Sequence, residues 1–268
     1  MPLIKINFAF FLFLISNVVF GYVRNNSILV CYGKLNPNQI IGYSYVILES
    51  HFYSIYEIQK IKSQNEKVIA YISLGEINSN SIYIDRLKPY SYGKNENWNS
   101  FYLDLYQPET KTILLSIIDQ TLSLGFDGMF FDNIDNFSSY GPQSEQKQAL
   151  IDFLKVIRET FPNHFFIQNS GIQLVDETAP FVNAFVMESI ASDYSFESNT
   201  YQLRDEKEFF DFSKALKAIN KTHDLPILLI EYADNLELFD AIETRIKKLR
   251  FDYFIGNINL QTIPQFLN

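Results

Sequence analysis

The sequence predicts a single-domain (β/α)8 TIM barrel of the α/β class, on three observations. The chain has 268 residues, close to the roughly 250 typical of such a barrel. Eight short β-rich runs recur along it, most of them separated by a longer stretch of helical periodicity, which is the pattern of parallel βα units. The runs are largely continuous in apolar residues, as strands buried on both faces of a parallel sheet must be.

The eight runs fall at 28–32, 45–48, 68–73, 128–132, 165–169, 184–188, 227–231 and 253–256. The clearest helices between them are expected at 54–64, 108–124, 144–159, 206–220 and 236–249, with a short helical region at 171–180. Pro108 suits a first helical turn, where its missing N–H costs nothing. Ile55, Ile58 and Ile61 form an inward stripe with Glu57, Lys60 and Lys62 outside it, as a helix of the outer ring requires. Lys247, Lys248 and Arg250 close another helix at the end its dipole favours. The connection 79–107 breaks the rhythm: it carries Tyr83, Tyr90, Tyr92 and Trp98 among polar residues and a short strand at 101–105. It follows the third strand, so it belongs over the C-terminal face, where its aromatics either wall a groove or pack on the rim.

Composition bounds the function. Hydrophobic residues make up 47% and charged residues 20% of the chain, a globular balance. Aromatics reach 16%, which suits a sugar-binding cleft, although most of the 25 Phe belong in a core. Residues 1–21 hold one charge, Lys5, then an apolar run from Phe8 to Ile15, then small residues around Gly21. This reads as a cleavable secretory signal, too short in its apolar part to span a bilayer. The expected mature domain is 22–268, secreted or periplasmic, monomeric, and free of the membrane after cleavage. Loss of Lys5 takes the formal net charge from -9 to about -10. Such a surface repels nucleic acid and anionic lipid and attracts a neutral or cationic partner. The single cysteine, Cys31, lies in an apolar run and is expected to be buried and inert, so no internal disulfide forms.

Barrel chemistry is performed at the C-terminal ends of the strands. The third run closes in Ser73-Leu74-Gly75-Glu76, the fourth in Asp132-Asn133, the fifth in Gln168-Asn169, the sixth in Glu188-Ser189 and the seventh in Glu231-Tyr232. Three carboxylates thus converge from runs four, six and seven. Glycoside cleavage needs two of them: one protonates the departing oxygen, while the other attacks the anomeric carbon or activates water. Whether Glu188 or Glu231 partners Asp132, and whether the reaction retains or inverts configuration, is open at this stage. Asp132, Asn133, Asp135 and Asn136 form an oxygen-rich cluster that suggests a second class, a metal-dependent hydrolase built on Asp132 and Asp135, but its spacing is not that of a calcium loop. A third class is a carbohydrate-binding protein on a hydrolase-like barrel. His164 and His223 precede strands and belong to the opposite end, leaving only His51 near the active face, too few for zinc. No phosphate-binding glycine loop or serine elbow is present. No metal and no cofactor are expected.

At these residues the chain resembles the endo-α-1,4-polygalactosaminidase family (glycoside hydrolase family 114), secreted or surface-associated (β/α)8-barrel enzymes acting on galactosaminogalactan-type polysaccharides. The resemblance runs from about 27 to 256. Its most specific piece is Gly125-Phe126-Asp127-Gly128-Met129-Phe130-Phe131-Asp132-Asn133, supported by Tyr71-Ile72-Ser73-Leu74-Gly75-Glu76, Gln168-Asn169 and Val186-Met187-Glu188-Ser189. It implies Asp132 and Glu188 as the catalytic carboxylates, with Asp132 the nucleophile or base and Glu188 the acid. It implies further that Tyr32, Gly33, Asp135, Asn169 and Tyr232 line substrate subsites. Glu76 and Glu231, the remaining strand-end acids, are also expected to touch substrate. The implied partner is an α-1,4-linked galactosamine polysaccharide, cationic wherever its amines are free.

Overall fold

A computed structural model describes residues 27–266, so the expected signal at 1–21 lies outside the described residues. Eight parallel strands run in sequential ring order: Ile28–Cys31, Tyr45–Leu48, Lys67–Ser73, Gly128–Asp132, Phe165–Asn169, Ala184–Glu188, Ile227–Tyr232 and Asp252–Gly256. Each matches a predicted run to within one residue at either end. The first and last strands lie side by side, and the backbone N–H of Tyr32 donates to Leu260 O at 2.7 Å, which ties the segment after the eighth strand to the end of the first. The core, inside the ring and between it and the outer helices, is built of buried side chains including Val30, Ile47, Phe130, Phe166, Phe185 and Phe254. Cys31 is among them and fully buried.

The Gly-Phe-Asp-Gly piece proves to be a device of the barrel's N-terminal end. Asp127 accepts from the backbone N–H of Val68 at 2.8 Å and pairs with Lys62 Nζ at 2.8 Å, so it fixes the entry of the fourth strand against the third. A Cβ on Gly128 would lie 1.6 Å from Phe165 O. Only glycine lets the fourth and fifth strands approach there.

The outer helices are Ile55–Lys62, Pro108–Ser123, Lys147–Thr160, the single turn Val175–Thr178, Glu206–His223 and Leu236–Ile246. Ser54 and Glu57 form a reciprocal capping box on the first of these. In that helix Ile58 and Ile61 are buried, whereas Ile55, at the first turn, is exposed. The first strand is followed by a 3-10 turn, Pro37–Gln39, in place of a helix. Among the described residues, no helix is long and apolar enough to cross a membrane.

Two β insertions rise from the C-terminal rim. After the third strand, Glu76–Asn78, Ser91–Asn95 and Ser100–Leu103 form an antiparallel sheet with the 100–103 strand in the middle, and a short helix Ile84–Leu87 lies between its first two strands. The strand expected at 101–105 is this central one. After the sixth strand, Ser192–Ser195 and Thr200–Leu203 form a hairpin. The sequence pattern does not reveal it, because its residues are mostly polar and half-exposed.

Candidate active site

A cleft of about 610 Å³ opens at the C-terminal ends of the strands. Asp132 ends the fourth strand and Glu188 the sixth; Asn169, at the end of the fifth, stands between them. The Asn169 Nδ2 group donates to Asp132 Oδ1 at 2.7 Å and to Glu188 Oε1 at 2.6 Å. Those two bonds share one nitrogen, so the two carboxylate oxygens lie no more than about 5.3 Å apart, short of the roughly 6.5–9.5 Å that inverting glycosidases leave for a water. Each acid has a second, phenolic donor. Tyr71 Oη donates to Asp132 Oδ2 at 2.8 Å, and Tyr232 Oη donates to Glu188 Oε2. The Tyr32 ring packs on Tyr71 at 4.5 Å between centroids, which fixes that phenol in place.

Burial acts on both carboxyls. Burial pushes Glu188 up to about 7, and the charge of Asp132 pushes the same way. Burial also raises Asp132, but the hydrogen bonds from Asn169 and Tyr71 oppose that and favour its ionised form. Tyr32, Tyr71 and Tyr232 are held well above the usual phenol range, first by burial and then by the neighbouring carboxylates. They therefore stay neutral, as hydrogen-bond donors must.

Two further acids face the same cleft. Asp135 is pushed up to about 6 by burial and by the charge of Asp132. Glu49, just past the second strand, is pushed up to about 7 by burial and reaches His51 Nδ1 at 3.3 Å. The lining contains no lysine or arginine among the described residues. A cleft with this many acids and no cation in its wall favours a positively charged guest.

Of the residues expected to meet substrate, Tyr32, Asp135, Asn169 and Tyr232 are gathered at the cleft with the pair. Three others are placed differently. Gly33 is buried outside the cleft lining; a Cβ there would lie 2.1 Å from Gln261 O, so its glycine serves barrel closure. Glu76 borders the cleft, but its oxygens accept from Ser100 Oγ, Asn95 Nδ2 at 3.1 Å and Asn136 Nδ2 at 2.9 Å, which commits it to bracing the inserted sheet. Glu231 is fully buried and turned away from the cleft. Its oxygens accept from the backbone N–H groups of Ile190, Ala191 and Ser192 and from Ser192 Oγ. Burial raises its carboxyl to about 7 against the pull of those donors.

The oxygen-rich cluster does not converge either. Asn133 Oδ1 accepts from Ser73 Oγ at 2.6 Å, and Asn136 Nδ2 is spent on Glu76 and Gln143. Among the described residues, no group of three or more His, Cys, Asp or Glu side chains is gathered to hold a metal ion. Of the aromatic residues in the long insertion, Tyr83 and Trp98 line the cleft, whereas Tyr92 packs on Tyr102. Sequence reasoning passed over Glu49, Tyr71 and Trp98 as individual site residues. Glu49 directly follows Val46-Ile47-Leu48, so the strand-end rule applied to the second strand would have found it.

Comparison with known proteins gives this geometry its context. Over residues 46–267 the chain matches the model of glycoside-hydrolase family GH114. It is 27% identical over 248 residues to an uncharacterized protein of Methanocaldococcus jannaschii, covering 85% of this chain and 65% of that one. A second relative, from Thermotoga maritima, is 23% identical over 155 residues, 51% of this chain and 47% of that one. The chain thus spans less than two thirds of the length of these curated relatives. Among solved structures, the glycoside hydrolase domain of PelA from Pseudomonas aeruginosa superposes with a TM-score of 0.77 at 22% identity, covering 88% of this chain and 96% of that one. Ega3 of Aspergillus fumigatus, solved in complex with galactosamine, gives 0.70 at 16% identity, with 90% and 93% covered. The barrel is common to both, and with the family model matched over most of its length, this chain belongs to glycoside-hydrolase family GH114.

Proposed function

We propose that this chain is an exported endo-acting glycoside hydrolase that cuts α-1,4-linked, galactosamine-containing polysaccharides with retention of configuration. The observation that carries the reading is the Asn169 amide, which holds two carboxylates at nucleophile-and-acid spacing in an open cleft. The amino-sugar class is supported by a cleft lining that, among the described residues, holds no lysine or arginine and by the galactosamine complex of Ega3. Export rests on the apolar segment in residues 1–21.

In the first step the ionised Asp132 attacks the anomeric carbon, while Glu188 transfers its proton to the departing glycosidic oxygen. This leaves a glycosyl ester on Asp132 and a free hydroxyl on the leaving chain. In the second step Glu188, now a carboxylate, takes a proton from water as the water attacks the same carbon. Asp132 is released and Glu188 is reprotonated. Asn169 bonds to both acids and so sets their separation throughout. Tyr71 and Tyr232 withhold one oxygen of each from solvent.

The test is incubation with deacetylated and acetylated α-1,4-galactosaminoglycan beside other α-linked polymers, across a range of pH. Oligosaccharides should be released from the amine-bearing polymer. The kcat/KM profile should be a bell whose basic limb lies near pH 7, because Glu188 must carry its proton and loses it there. The acidic limb reports protonation of Asp132. Tyr232→Phe removes a donor that favours the ionised form of Glu188, so the basic limb should move up by about one unit. Release from none of the amino-sugar polymers, or a limb that moves down, would overturn the assignment.

A further inference from the structure

The two rim insertions touch. Trp98, in the turn before the central strand of the inserted sheet, meets Phe196 at the tip of the hairpin, edge to face, with ring centroids 5.1 Å apart and planes at 82°. Both rings remain substantially exposed, at 45% and 41%. Tyr194 and Tyr201 extend the aromatic row down the hairpin, with centroids 5.0 Å from Tyr194 to Phe196 and 4.8 Å from Tyr194 to Tyr201. The insertions spring from strands three and six, and the strands between those two in the ring are the fourth and fifth, which carry Asp132 and Asn169. The contact therefore bridges the arc of the rim above the fourth and fifth strands, and Trp98 itself lines the cleft.

The two halves of the contact are held differently. The Trp98 backbone is fixed: Asn78 Nδ2 donates to Trp98 O at 2.7 Å, and Ser79 Oγ donates to the neighbouring Asn99 O at 2.7 Å. The base of the hairpin is fixed too, by the Glu231 carboxylate on Ile190, Ala191 and Ser192 and by Arg204, which donates to Ser189 O at 2.6 Å and pairs with Asp193. Its tip is not. Residues 196–200 are all exposed, and their hydrogen bonds are short-range ones within the hairpin, such as Ser198 Oγ with Thr200 Oγ1. One exposed edge-to-face pair is a weak tie between a rigid arm and a loose tip.

We propose that Trp98 and Phe196 form a clasp that sets which substrates enter: it parts to admit the internal stretch of a polymer and re-forms over the bound chain, while short oligosaccharides enter beneath it. This rests on the glycosidase reading, which needs internal segments to reach Asp132. It assigns substrate-length selection to two residues outside the catalytic set. The hinge is the hairpin tip, and Trp98 is the fixed post.

The test uses Trp98→Cys/Phe196→Cys, joined or not by a short bis-maleimide; the only other thiol, Cys31, is buried. Joining the arms should lower kcat/KM on long deacetylated galactosaminoglycan at least tenfold, and on a galactosamine tetramer less than threefold. Equal losses on both substrates, or undiminished polymer cleavage, overturn the clasp. Because Trp98 is the sole tryptophan, Phe196→Ala offers a reading that needs no turnover. It should shift Trp98 emission in the free protein and abolish the further shift that polymer induces in the parent protein. An unchanged polymer-induced shift also counts against the clasp. Parent protein that releases nothing from polymer or tetramer is a different failure, that of the glycosidase reading, and it removes the gating proposal with it.

Discussion

Asp132→Asn is expected to lower kcat on the polymer by at least about 10³-fold while leaving the melting temperature and substrate affinity close to those of the parent protein. Asparagine has the shape of aspartate but no charge with which to attack the anomeric carbon. Its side-chain oxygen can still accept one of the two donors, Tyr71 or Asn169, so the site loses part of its hydrogen bonding and none of its volume. Removing the Asp132 charge also relieves the repulsion that helps hold Glu188 up, so the pKa of Glu188 should fall in the variant. Turnover, thermal unfolding and the emission of Trp98 on titration with polymer measure the three effects separately. Comparable turnover by the variant would move the nucleophile elsewhere.

The second large effect is on stability. Glu231→Ala strips three consecutive buried N–H groups and the Ser192 hydroxyl of their acceptor. Leaving such donors unpaired costs about 1–3 kcal/mol each before the loop relaxes or water enters, and a total of about 3–5 kcal/mol is the expectation. For a domain of 150–250 residues, where 1 kcal/mol moves Tm by roughly 2–4 °C, the variant should melt about 6–20 °C lower. Part of the activity should go as well, since the displaced loop begins immediately after Glu188. Unchanged thermal unfolding with total loss of activity would instead make Glu231 a catalytic partner of Asp132, the alternative that the sequence alone left open.

That alternative shows how much was legible beforehand. Apolar runs of strand length located all eight barrel strands, because a strand buried on both faces has few other sequences available to it. The strand-end rule located Asp132, Glu188, Asn169 and Tyr232 for the same reason: polar residues closing such strands stand at the mouth of the barrel. What it could not weigh was direction. Successive side chains point to opposite faces, so of Glu231 and Tyr232 only one faces the mouth. The structure turns Tyr232 inward and Glu231 toward the loop after the sixth strand. Direction is equally hidden at Glu76 and Gly33, since near the rim an acid can brace an insertion and a glycine can serve closure. The hairpin 192–203 escaped because its two strands are only four residues long and mostly polar, and with it went the Trp98–Phe196 contact, which joins segments roughly 100 residues apart. The distance between the two carboxylates is a property of the closed ring and of Asn169 between them, and no local pattern encodes it.

The central claim is that Asp132 and Glu188 act on one anomeric carbon through a covalent intermediate. It is met most directly by mass spectrometry of Glu188→Gln incubated with a galactosaminyl fluoride, whose leaving group needs no acid. Without Glu188 to activate water the ester should accumulate, and the peptide containing Asp132 should gain the mass of one glycosyl unit. A peptide map with no such adduct, together with inverted anomeric configuration in the first-formed product of the parent enzyme, would contradict the account.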